Sequence, residues 1–210
     1  MAKLKLGILV SGSGTNLQAI LDAVGDASLD AEIRIVLSNV PGVKALERAA
    51  RAQVKTRVLS HRDFESREAF DVALVQALRE CDVDYVVLAG FMRVLTPTFL
   101  RAFEGRIVNI HPALLPSFPG THGQRQAVDY GVKIAGCTVH FVDEGVDSGP
   151  IIAQRAVPVL DDDTESTLGA RILEQEHEVF VEVLRYIAAD RVRIVRSLDG
   201  KRAKVRILPA

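Results

Sequence analysis

The stretch KLGILVSGSGTNLQAILDAV, residues 5–24, decides the fold of the chain. It begins with KLGILV, an apolar run that predicts a buried strand, and continues into SGSG, a flexible turn. Farther along, Leu17, Ile20 and Leu21 fall on one face of a predicted helix. A strand, a glycine-rich turn and a helix in this order are typical of the opening of a β-α-β unit.

The same alternation of apolar strands and amphipathic helices continues along the chain. It predicts strands at Glu32–Ser38, Thr56–Leu59, Tyr85–Leu88 and Ile107–Ile110, and helices at Val43–Ala52 and Ser66–Glu80. Such a pattern favours an α/β fold with a parallel sheet and helices on both faces. Because right-handed crossovers bring the carboxyl ends of the strands to one edge, we expect ligands to bind there.

The last third of the chain has a different pattern. Strands are predicted at Ala135–Phe141 and Ile151–Val157, followed by a long helix over Thr167–Ala189 with N-cap residues at 163–166. The basic tail, 191–210, contains strand-like segments at Val192–Val195 and Val205–Leu208. A strand added to the sheet and a contact between subunits are both compatible with this tail.

Composition and charge exclude several classes of protein. The chain is 48% hydrophobic and 25% charged with a net charge of −1, which predicts a soluble domain without a nucleic-acid or membrane partner. No apolar run approaches the ~20 residues of a membrane span, and the first strand follows the N-terminus too closely for a signal peptide. We therefore expect a cytoplasmic protein. Neither the histidines nor Cys81 and Cys137 have metal-ligand spacing, so no metal is expected.

The glycine turn at 11–16 lies where a phosphate could bind. Free amides at the start of the following helix suit an anion, and glycines let the backbone approach it closely. Leu17 replaces the third glycine of a dinucleotide fingerprint, and the second strand ends in Ser38-Asn39 without the expected acid. A single phosphate therefore fits better than a dinucleotide, although a tight turn without any ligand remains an alternative.

Asn109 and His111 form the strongest candidate for chemistry. They are two residues apart in a predicted strand, so their side chains leave the same face, and Pro112 ends that strand. An amide can stabilise an oxyanion and an imidazole can transfer a proton, while Asp147 could orient His111 and favour its charged form. The segment contains no Ser or Cys nucleophile, so an acyl group need not pass through the protein. A purely structural role for Asn109 and His111 remains open.

Two other histidines are interpreted differently. His140 alternates along a predicted strand, which favours structural burial over function. His122 lies in the GTHG segment beside the expected site and could have a supporting role.

Several separated motifs resemble the folate-dependent formyltransferase family. They are NIHPALLPSF at 109–118, the distant Asp147, GSGTNLQ at 12–18, LAGFMR at 88–93 and QEH at 175–177. The resemblance covers nearly all of residues 5 to about 190. It implies a Rossmann-like N-terminal half and a mixed sheet in the C-terminal half. It also implies a single domain over 1–190, with a phosphate-binding half at about 1–105 and a catalytic, folate-binding half at about 106–190, followed by the tail.

The resemblance also implies roles for individual residues. Asn109, His111 and Asp147 would be catalytic. Gly14, Thr15 and Asn16 would bind a substrate phosphate, and Glu176 its ribose. The residues implied to contact the folate are Arg67, Met92, Arg93, Val94, Leu95, Asn109, Asp143, Glu144, Gly145 and Val146.

The implied reaction is direct formyl transfer from 10-formyltetrahydrofolate to the amine of glycinamide ribonucleotide, a step of purine synthesis, without a covalent acyl-enzyme. The partners would be these two small molecules, and the protein would be a monomer or a homodimer. A family member acting on methionyl-tRNA would carry a sizeable further C-terminal domain, whereas about 20 residues follow the long helix here. A formyltetrahydrofolate hydrolase would carry an N-terminal regulatory domain. A non-catalytic nucleotide-sensing module is a rival of another class.

Overall fold

The computed structural model describes residues 3–195 and 202–209, in two compact units, Met1–Asn109 and Ile110–Ala210. The predictions for residues 196–201 of the tail therefore lie outside the described residues. The strands are β1 (Leu4–Val10), β2 (Ala31–Ser38), β3 (Thr56–Val58), β4 (Tyr85–Leu88), β5 (Ile107–His111), β6 (Ile134–Phe141), β7 (Ile151–Pro158), β8 (Val192–Val195) and β9 (Lys204–Ile207). The α-helices are α1 (Thr15–Gly25), α2 (Lys44–Arg51), α3 (Arg67–Glu80), α4 (Pro97–Ala102), α5 (Gly123–Tyr130) and α6 (Glu165–Ala188).

The first unit is built on parallel strands. Their order is β3-β2-β1-β4-β5, and every neighbouring pair runs parallel. The carboxyl ends of these strands therefore meet at one edge, and the loops that follow β1 and β4 lie there. This confirms the α/β fold with a mostly parallel sheet that the alternating pattern predicts.

Strand β1 lies at the centre of that unit because its sequence is almost entirely apolar. Leu6, Ile8 and Leu9 are fully buried. Between them, Gly7 is needed for close packing, since a Cβ at this position would lie 2.4 Å from Cδ2 of Leu78 in α3. Burial of this strand and of the apolar face of α1 is the main stabilising contribution of the opening stretch.

The second unit begins with the end of β5, and its strand order is β5-β6-β7, with β6 and β7 antiparallel. The mixed character expected of the C-terminal half is thus confirmed. Helix α6 packs against β6 and β7. It begins with a capping box in which Thr164 and Thr167 satisfy each other's backbone amides, in the segment predicted to cap it.

Two helices and the pairing of the tail were not predicted. The short helices α4 and α5 lie in segments for which the sequence pattern gave no element bounds. The two tail strands pair with each other, as an antiparallel hairpin of β8 and β9 that forms its own two-stranded sheet. Within residues 3–195 and 202–209, no helix has the length and apolar character required to cross a membrane.

Candidate active site

In the first unit, the Ser11 side chain connects three loops at the carboxyl edge of the sheet. Its hydroxyl donates to Oδ1 of Asn39 at 2.7 Å and accepts from the backbone amide of Met92 at 2.8 Å. Its own amide donates to the carbonyl of Gly90 at 3.0 Å. Ser11 therefore ties together the ends of β1, β2 and β4, a role that the sequence analysis did not assign to it.

Gly14 shapes the turn that leads into α1. It has a φ of 71°, in the left-handed region, and occupies the N-cap position without a capping side chain. A Cβ on Gly14 would lie 2.6 Å from Cβ of Ala45 in α2, so glycine is required for two reasons. Thr15 and Asn16 follow as the first helical residues, and their amides are in the position where an anion binds a helix N-terminus.

Arg48 brings a positive charge to the same turn. Its Nε donates to the carbonyl of Ser13 at 2.9 Å, and its Nη1 donates to Oε1 of Gln18 at 3.1 Å. Arg48 could not be predicted as part of this turn because it lies in α2, 35 residues from Ser13 along the chain. The cation both rigidifies the turn and favours a bound anion electrostatically.

The structure also brings together two of the predicted folate-binding segments. Nη2 of Arg67, the first residue of α3, donates to the carbonyl of Val94 at 2.9 Å. The segment is held by Asp71, which is 2% exposed and accepts from the amide of Thr96 at 2.6 Å. Burial raises the pKa of the Asp71 carboxyl. The side chains of Met92 and Val94 remain exposed and could contact an apolar ring.

In the second unit, His111 and Asp147 are in contact although 36 residues separate them in the sequence. Nδ1 of the buried His111 ring lies 3.4 Å from Oδ2 of Asp147. Its Nε2 lies 2.9 Å from the carbonyl oxygen of Phe118. A carbonyl can only accept, so Nε2 carries a proton there. Both ring nitrogens thus face oxygen acceptors, which fix the orientation of the ring.

Asp147 is held in an unusual backbone conformation. Its φ is 50°, which costs a residue with a side chain about 1–2 kcal/mol and has to be compensated by its surroundings. Part of that compensation comes from the amide of Gly120, which donates to Oδ2 of Asp147 at 2.7 Å. The carboxylate is thereby aimed at the His111 ring.

His140 is buried as predicted, yet it lies beside Asp147. Its Nε2 is 3.7 Å from Oδ1 of Asp147, and its Nδ1 donates to the carbonyl of Phe141 at 2.8 Å. Burial lowers the pKa of His140, although the nearby carboxylate of Asp147 acts in the opposite direction. Alternation along a strand indicates burial but does not show which residues the buried ring contacts.

The lowered pKa of His140 predicts a loss of stability in acid. Because the unfolded chain binds a proton at this residue more readily, the free energy of unfolding should fall as the pH drops below about 6.5. A His140→Gln variant should lose less of this free energy between about pH 7.5 and 5.5, as measured by urea denaturation. His61→Gln serves as the control and should keep the wild-type difference. An equal loss in His140→Gln and the wild type would contradict the prediction.

The loop between β6 and β7 contains four of the predicted folate contacts, at residues 143–146. Oδ1 of Asp143 accepts from the amide of Gly145 at 3.2 Å and from Oγ of Ser148 at 2.6 Å. Glu144 and Val146 are exposed. The loop is therefore organised by its own hydrogen bonds and leaves side chains accessible to a ligand.

Two further predicted residues lie on or near α6. Glu176 is buried, and burial together with this carboxylate raises the pKa of the Cys137 thiol to about 12. His122 is exposed, and its Nδ1 lies 3.5 Å from Oε1 of Glu165. Among the residues that the structure describes, no cluster of His, Cys, Asp or Glu side chains could hold a metal ion.

The fold and these side chains define an α/β protein with a glycine turn at a helix N-terminus and a buried imidazole in contact with a carboxylate, groups that suit acid–base chemistry. Residues 4–184 match the formyl transferase family. The chain belongs to that family.

Individual relatives agree with this assignment. The chain is 47% identical over 208 residues to a phosphoribosylglycinamide formyltransferase of Mycobacterium tuberculosis, covering 98% of this chain and 95% of the relative. It is 48% identical over 202 residues to a trifunctional purine biosynthetic protein of Drosophila pseudoobscura pseudoobscura. The match covers 95% of this chain but only 15% of that longer protein. A solved glycinamide ribonucleotide transformylase 1 from Symbiobacterium toebii superposes with a TM-score of 0.94 at 48% identity, covering 99% of this chain and 95% of that one.

Proposed function

We propose that this protein transfers the formyl group of 10-formyltetrahydrofolate to the amine of glycinamide ribonucleotide, in purine synthesis. The observation that carries the proposal is the contact of 3.4 Å between His111 and Asp147 in a chain of this family. It provides an oriented imidazole with hydrogen-bonding capacity at both nitrogens. The substrate class follows from the bacterial relatives that are matched over nearly their whole length, which are phosphoribosylglycinamide formyltransferases.

In the proposed mechanism, the glycinamide amine attacks the formyl carbon. A bond forms between the amine nitrogen and this carbon, and the formyl oxygen becomes negative. Asn109, half-buried in β5, and His111 hydrogen-bond that oxyanion. The intermediate collapses by breaking the bond to N10 of the folate. The amine loses a proton and N10 gains one, through His111 or a water, so no acyl-enzyme forms.

The carbonyl of Phe118 bears on this mechanism. Because it accepts the hydrogen bond from Nε2 of His111 at 2.9 Å, the bond has to break before this nitrogen can donate to the formyl oxygen. Phe118 has a φ of 53°, a conformation that carries backbone strain and has to be stabilised by its surroundings. Asp147 would keep the His111 ring oriented while Nε2 changes its hydrogen-bond partner.

Each substrate has its own set of proposed contacts. Gly14, Thr15 and Asn16 would bind the phosphate, with support from the positive charge of Arg48, and Glu176 would contact the ribose. The proposed folate contacts are Arg67 at the glutamate end, and Met92, Arg93, Val94, Leu95, Asn109, Asp143, Glu144, Gly145 and Val146 around the pteridine. The 2.9 Å contact between Arg67 and Val94 supports a common role for these two segments. The protein would act in the cytoplasm as a monomer or homodimer, without a metal.

A folate absorbance assay tests the proposal directly. Deformylation that requires glycinamide ribonucleotide, with a formylated product of matching amount, is the expected result. Release of formate without the acceptor would indicate a hydrolase, since the same His–Asp pair could activate water. No turnover with either substrate, but binding of the nucleotide, would indicate a sensing module.

A further inference from the structure

The hairpin of β8 and β9 lies beyond residue 184, where the family match ends, and its basic residues have no part in the mechanism above. One of them reaches the loop that carries Asp147. Nη2 of Arg202 donates to the carbonyls of Ser148 and Gly149, and the distance to the Gly149 oxygen is 2.9 Å. A single guanidinium thus holds the two residues that directly follow Asp147.

The hairpin is closed by hydrogen bonds at its other end, where the amide of Arg191 also donates to the carbonyl of Tyr186 in α6 at 2.9 Å. The amide of Leu208 donates to the carbonyl of Arg191 at 2.8 Å, and Nε of Arg191 donates to the carbonyl of Leu208 at 2.7 Å. The Arg191 guanidinium lies 5.0 Å above the ring of Tyr186, near the end of that helix. Arg202 is therefore attached through the hairpin to a rigid element.

The backbone that Arg202 contacts has little freedom. Gly149 packs so closely on the end of β6 that a Cβ there would lie 1.7 Å from the carbonyl oxygen of Phe141. Asp147 has the left-handed conformation described above, which its neighbours must stabilise. A cation shared by two carbonyls restrains the peptide groups on the C-terminal side of Asp147, while Gly120 restrains its carboxylate.

We propose that Arg202 is a positioning residue. Its guanidinium holds the carbonyls of Ser148 and Gly149, which keeps Asp147 aimed at His111 and keeps the Asp143–Asp147 loop in place for the folate. The kinetic part of this inference rests on the proposed function. The planar fork of arginine can donate to two carbonyls at once, whereas a lysine ammonium lacks that fixed geometry.

The test combines amide hydrogen exchange with kinetics. In Arg202→Ala, amides of residues 143–149 should exchange roughly three- to ten-fold faster, the effect of losing an accessible charged hydrogen bond. We expect kcat to fall by a similar factor and the KM for the folate to rise. Arg202→Lys should recover part of both effects. The control Arg206→Ala removes the same charge from β9 and should leave exchange and kinetics unchanged.

The readouts separate this proposal from the proposed function. Amide hydrogen exchange needs no substrate. If the amides of residues 143–149 exchanged at the wild-type rate in Arg202→Ala, the inference would be overturned even if the wild type is active. Faster exchange with unaltered kcat and KM would also overturn it, because Asp147 would then be positioned without Arg202. An inactive wild type would refute the proposed function, and exchange alone would then decide whether Arg202 holds the loop.

Discussion

A His111→Ala variant is expected to lose at least ~10²-fold in kcat, the range for removal of an oxyanion or acid–base group. The side chain is 4% exposed, and its nitrogens face Asp147 and Phe118. Truncation therefore removes a side chain of β5 that contacts the Asp147 carboxylate. It should also cost about 1–3 kcal/mol of stability, because two partly buried acceptors lose a donor.

Steady-state kinetics on purified, folded protein measure this effect. The KM values of both substrates should change less than kcat, since the ring acts mainly in the transition state. Asn109→Ala should show a loss of similar size. The double variant should lose less than the product of the two factors, because both groups would serve one oxyanion. Turnover close to wild type in His111→Ala, with circular dichroism showing a folded protein, would contradict the assigned role.

The sequence could predict the parallel core because its signals are local. An apolar run such as KLGILV indicates a buried strand whatever surrounds it, and helical spacing after it indicates the next element. The shared face of Asn109 and His111 also follows from strand geometry alone. Short helices were missed although each carries a signal: Pro97 at the first position of α4, and Gly131, with a φ of 78°, after the end of α5.

Contacts between distant residues could not be predicted in this way. Nothing near Asp147 in the sequence points to His111, so their pairing was suggested by the chemistry of the two side chains and by the resemblance to a family, not by a local pattern. His140 shows the limit clearly, since alternation indicates its burial but not its distance of 3.7 Å from the same carboxylate. Arg48 and Arg202 donate hydrogen bonds to the backbone carbonyls of Ser13 and Gly149. Because every residue has a backbone carbonyl, the sequence does not show which of them an arginine contacts.

The second large effect is expected at Gly14. An alanine there would have to adopt a φ of 71° and place its Cβ 2.7 Å from Cα of Ala45, a backbone atom that cannot move without displacing α2. The left-handed conformation alone costs about 1–2 kcal/mol, and the overlap adds to it. We expect Gly14→Ala to lower the free energy of unfolding by at least ~2 kcal/mol.

The same substitution should raise the KM for glycinamide ribonucleotide at least ~10-fold, because a shifted turn no longer aims the amides of Thr15 and Asn16 at the phosphate. The KM for the folate should change much less. Gly12→Ala is the matched control for folding: a Cβ there meets no protein atom within 4 Å, so the free energy of unfolding should stay close to that of the wild type. If folded Gly14→Ala bound the nucleotide normally, the phosphate would have to bind elsewhere, because the overlap with Ala45 leaves this turn no way to keep its shape.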